Sequence, residues 1–105
     1  LGVIASAYAA LASSRSAVNQ DRKNADRYQA AEDQLMERKL DLDAYCKRTA
    51  MGDPNAVQDF FAPVFVVLEA DHKAFLTEAD QREFAIGDME RRLDAALEPL
   101  NQAHG

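Results

Sequence analysis

The chain has little of what most small catalysts and scaffolds are built from. It has one cysteine, no tryptophan, four glycines and three prolines in 105 residues. A single thiol excludes an internal disulfide framework and a multi-cysteine zinc site, leaving Cys46 as a passive half-buried thiol or a bridge between two copies. Nor is there an excess of positive charge. The net charge is −6, and the basic pairs Arg22-Lys23 and Arg91-Arg92 each sit among acids, so nucleic-acid backbones are not an expected partner. No apolar run approaches the roughly 20 residues needed to cross a bilayer.

What is present is alanine, aliphatic residues and charge, with 48% apolar and 29% charged residues. The length fits one domain, 1–105, with a modest core. The first stretch, LGVIASAYAALASS, is apolar and rich in small residues, and the chain begins at Leu1. It reads as an Ala-rich helix that lets a partner approach closely, with membrane proximity as the other reading. A processed or excised piece is expected, and an extracytoplasmic, periplasmic setting is favoured over a cytoplasmic one.

The clearest punctuation is Lys47-Arg48-Thr49-Ala50-Met51-Gly52-Asp53-Pro54. Cations suit the negative end of a helix dipole, and Gly52 can adopt a left-handed cap. Asp53 is a good N-cap, and Pro54 is pre-shaped for the first helical position. The spacing predicts arm one over 3–51, a turn at 51–54 and arm two over 54–100. Tyr28, Leu35, Leu42 and Thr49 recur every seven residues. Val57, Phe61, Val64, Leu68 and Phe75 follow steps of three and four, as do Ile86, Met89, Leu93, Leu97 and Leu100. The fold class is therefore all-α, an antiparallel helical hairpin.

Three places interrupt this pattern. Asn19–Arg27 holds one apolar residue, Ala25, so arm one is expected to kink, fray or face water there. Pro63 cannot donate a backbone hydrogen bond and should kink arm two. Thr77-Glu78-Ala79-Asp80 resembles a capped helix start, which would split arm two into 54–75 and 78–98. The tail from Asn101 to Gly105 is expected to be loose. Between Phe60 and Leu68 the chain is apolar nearly all round, which implies burial on several sides. In so short a chain that points to a second copy, giving a four-helix bundle as a homodimer with Phe60, Phe61, Val64, Phe65 and Leu68 at the interface.

The residues with chemistry to offer are few. Glu69-Ala70-Asp71-His72 places a carboxylate and an imidazole three residues apart on one helical face. With the turn centred near 52, residue i lies level with about 104 − i, so His72 faces Glu32 and Glu69 faces Leu35, one turn away. Glu32, Glu69 and His72 are thus candidate metal ligands, for iron or zinc, in a carboxylate-rich site that a dimer would double. This arrangement resembles the small ferritin-like proteins that assemble a four-helix di-iron bundle from two hairpins. The resemblance rests on those three residues. The alternative reading is a solvated face with local ion pairs and no cofactor.

Phe75-Leu76-Thr77-Glu78-Ala79-Asp80-Gln81-Arg82 resembles the Leu-Thr-x-x-Gln signature of the periplasmic Spy/CpxP chaperones, also small helical hairpin dimers. Here the Gln stands one residue too far along, and the motif occurs once, so neither resemblance assigns a family. The serines at 6, 13, 14 and 16 lack a His/Asp partner in a strand-turn-helix setting, and Cys46 and His72 lie far apart along the arm, so nucleophilic catalysis has no support. His104 sits in the tail, away from any cluster.

The function expected from these features is a non-enzymatic helical interaction or sensor module acting as a homodimeric bundle. One version is an extracytoplasmic ligand-sensing or assembly domain with a protein or small-molecule ligand. The alternatives are the metal-binding bundle of Glu32, Glu69 and His72, and a small helical chaperone or adaptor using Phe60–Leu68.

Overall fold

The computed structural model describes residues 2–104, apart from the side chains of Asn101 and His104. Two helices make up the fold: α1 spans Gly2–Thr49 and α2 spans Pro54–His104. They pack as an antiparallel hairpin, as the matched arms predict.

The turn is built as its residues dictate. Thr49 closes α1 by donating from its hydroxyl to the Tyr45 carbonyl (2.7 Å) while its Oγ1 accepts from the Met51 amide (3.3 Å). Gly52 takes φ +83°, the left-handed conformation anticipated for it. Ala50 adopts it too, at φ 54°, where its Cβ crowds the backbone. A Cβ at Gly52 would also meet Cys46 Sγ at 3.0 Å, so the position admits little but glycine. Asp53 then caps α2, its Oδ1 accepting from the Asn55 amide at 2.9 Å and its carbonyl from Val57.

Two expectations about arm two are corrected. Residues around Thr77 do not divide it: α2 is one helix through Leu76-Thr77-Glu78-Ala79-Asp80. A capping residue starts a helix only where something upstream has ended one, and no Gly or Pro precedes Thr77 closely enough to do so. The helix also runs through Pro63, and beyond 100 to His104, so the tail is helical where looseness was expected. Leu1 and Gly105 lie outside the described residues. Arm one does not fray at Asn19–Arg27 but stays helical, with Asn19, Arg22, Lys23, Asp26 and Arg27 facing water and Asp21 and Ala25 buried.

The chain forms two compact units along its helices. One pairs α1 up to Arg22 with α2 from Leu76 onward. Its seam carries Ile4, Ala7, Leu11, Ser14, Val18 and Asp21 on α1, facing Ala79, Arg82, Ile86 and Leu93 on α2. The other, Lys23–Phe75, pairs Ala25, Tyr28, Glu32, Leu35 and Lys39 with Phe61, Phe65, Leu68, His72 and Phe75. On α1 these inward positions alternate in steps of three and four, the seam of a coiled coil. The core is thin. Leu11, Val18, Ala25, Phe61 and Ala79 are the buried apolar residues, and among the described residues no large side chain is fully sealed from solvent. No described helix is long and apolar enough to cross a membrane.

Candidate functional site

Polar groups gather at one level of each unit. In the Lys23–Phe75 unit, His72 Nδ1 lies 3.3 Å from Glu32 Oε1, with both side chains largely buried. This is the juxtaposition that the hairpin arithmetic places there. Beside it Tyr28 packs on Phe75, ring centroids 5.7 Å apart, with Asp71 near its hydroxyl. The Asp71 charge, then hydrogen bonding towards its carboxylate and burial, raise the Tyr28 pKa, because a phenolate there would face a carboxylate.

Glu69, the third candidate ligand, is exposed, and the structure does not bring it to the Glu32–His72 pair. Among the described residues no group of three or more His, Cys, Asp or Glu side chains could hold a metal ion. One chain therefore offers two ligands at this level. A carboxylate and an imidazole alone do not complete a zinc or iron site.

The Phe60–Leu68 segment divides by face. Phe61 is buried against α1, 4% exposed, and packs on Phe65 at 6.4 Å between ring centroids. Phe65 and Leu68 are half-buried on the same side. Phe60 and Val64 point outward, with Phe60 69% exposed, and the neighbouring Val66 and Val67 are exposed too. Of the five residues expected at an interface, Phe61, Phe65 and Leu68 therefore lie on the α1 side and Phe60 and Val64 on the outer side. Phe60, Val64 and Val67, with half-buried Val57, form a second stripe on α2 in steps of three and four.

The other unit carries charge where the sequence pattern promised solvent. Asp21 is 6% exposed, and its Oδ2 faces Arg82 Nε at 3.1 Å, out of hydrogen-bonding alignment. Arg82 also donates to Glu78 (2.6 Å), the bond that does most to raise its already high pKa. Next to this pair, Arg22 bonds Glu83, and one heptad further on Arg15 bonds Glu90. Asp21-Arg22 on α1 thus meets Arg82-Glu83 on α2 as two opposed charge pairs. Sequence reading missed this node because a charge in a polar stretch looks solvated. The signal that could have found it was the seven-residue step from Ser14 through Asp21 to Tyr28.

Between the two Arg–Glu rungs lies an open groove of about 430 Å³, floored by Val18 and Ile86 and flanked by Asn19 and Gly87. Cys46 is half-buried beside the turn. Comparisons with protein-family models, curated proteins and solved structures find no match to this chain.

Proposed function

We propose that this chain is a non-enzymatic helical interaction module that works as a homodimeric bundle, serving assembly or ligand sensing. The observation that carries the reading is the second apolar stripe on α2. A helix with one apolar face needs one neighbour, and α1 fills that role through Phe61, Phe65 and Leu68. Phe60, Val64 and Val67 ask for another. Burying each from full exposure is worth roughly 1.5–3 kcal/mol, scaled down here by the part already covered. Exposed apolar surface of this extent on a small chain marks a contact surface. Two hairpins joined through it give every long helix two neighbours, as in a four-helix bundle.

The test is mass in solution by sedimentation equilibrium at about 100 µM, where any interface stronger than about 5.5 kcal/mol is more than half formed. The expected result is a dimer that Phe60→Ser/Val67→Ser converts to a monomer of unchanged helicity, since both side chains are exposed and Phe60 only edges onto the buried Phe61 ring. A wild-type monomer at that concentration would sink the proposal. A monomer that binds a hydrophobic dye would favour a chaperone or adaptor that offers the stripe to another protein.

A further inference from the structure

The groove between the Arg–Glu rungs has a chemistry that neither the dimer nor the metal reading uses. We propose that it binds a zwitterionic α-amino acid with an apolar side chain. This goes beyond the interaction-module reading, since the groove is complete within one chain.

The argument begins with charge geometry. Arg15 and Arg22 stand on α1 and Glu90 and Glu83 stand opposite them on α2, so the groove has a cationic wall and an anionic wall. Each rung is about half exposed, so its groups keep hydrogen-bonding capacity to spare. A guanidinium has five N–H donors, and a carboxylate about four acceptor sites. An α-amino acid carries the inverse pair, a carboxylate and an ammonium one carbon apart. Laid against a rung, its carboxylate meets the guanidinium in the fork geometry arginine favours, and its ammonium meets the glutamate.

Size and polarity of the remaining space select the side chain. The rungs are one heptad apart, roughly 10 Å along a helix. Between them the floor is Val18 and Ile86, which suits a branched or aromatic side chain, with the Asn19 amide at the edge. Gly87 keeps the opposite wall low. A Cβ there would meet only Arg91 Nη1, at 3.5 Å, so nothing in the packing demands glycine.

The experiment is a titration of the isotope-labelled full chain by two-dimensional amide NMR, with L-leucine as the probe. The expected result is saturable shifts at Asn19, Arg22, Ile86 and Gly87. Leucinamide, which lacks the carboxylate, and N-acetyl-leucine, which lacks the ammonium, should each bind at least about tenfold more weakly, as expected for losing one charged contact. Gly87→Leu should fill the groove and abolish the shifts, and Arg22→Gln, an exposed change that leaves the seam intact, should weaken them comparably. The proposal is overturned by the absence of saturation at about 50 mM ligand. Equal shifts with sodium acetate would also overturn it, since they would mean an anion site only, and so would an unaltered response in Gly87→Leu.

Discussion

The two units hold the same pair of helices together by different means. In Lys23–Phe75 the seam is lined with rings, Phe61 on Phe65 within α2 and Tyr28 on Phe75 across the helices, with the Glu32–His72 contact beside them. In the other, the buried apolar residues are Leu11, Val18 and Ala79, and the cross-helix contacts between them are ionic: Asp21–Arg82, Arg22–Glu83 and Arg15–Glu90. Apolar packing supplies free energy in proportion to area and is indifferent to small offsets. Charge pairs supply little net free energy when exposed but penalise a wrong alignment. The difference teaches a division of labour, in which rings give cohesion and charges give alignment.

That division can be broken at its strongest point first. Phe61→Ala should cost about 3–5 kcal/mol, because the ring is the large buried side chain of its unit. Thermal unfolding followed by helical circular dichroism measures it, and a cost below about 1 kcal/mol would show that the rings are not the source of cohesion. Next comes Asp21→Ala, expected to destabilise by about 1–3 kcal/mol by leaving Arg82 without its seam partner. Asp21→Leu/Arg82→Leu should recover that loss while loosening the alignment, read as additional amide resonances. If the double variant is both less stable and uniquely folded, the charges serve cohesion after all. The smallest effect sharpens the comparison by touching neither unit's seam. Ala50→Gly should stabilise by about 1 kcal/mol, by relieving a left-handed alanine, and should leave the ion pairs unshifted.

How much of this could be read from the residues follows the same line. The turn was legible at Gly52, Asp53 and Pro54, each with a conformational reason for its place, but not at its start: α1 ends at Thr49 rather than 51, and Ala50 turns left-handed. The register was legible from the turn alone: Glu32 meets His72, and Tyr28 meets Phe75, where the hairpin arithmetic puts them. Thr77 misled because a capping motif is a local signal, and the surrounding helix formers outweigh it. The Asp21–Arg82 pair was hidden because burial of a charge depends on a partner 61 residues away in the chain. The two faces of Phe60–Leu68 could not be told apart by composition, since every residue there is apolar or proline, and α1's position decides which turn inward.

One consequence of the hairpin concerns the order in which its parts form. The Glu32–His72 contact closes a stretch of 40 residues, Arg22–Glu83 one of 61, and Arg15–Glu90 one of 75. Chain entropy makes each successive closure dearer, by roughly 0.5 kcal/mol between the first and the last if each formed alone. Contacts near the turn therefore close first and the helices zip outward, so the aromatic layers assemble before any charged pair is in reach. Opening runs in reverse. Amide hydrogens in α1 before Arg22 should exchange sooner than those flanking Tyr28, and the charged rungs would form after the aromatic layers and let go before them.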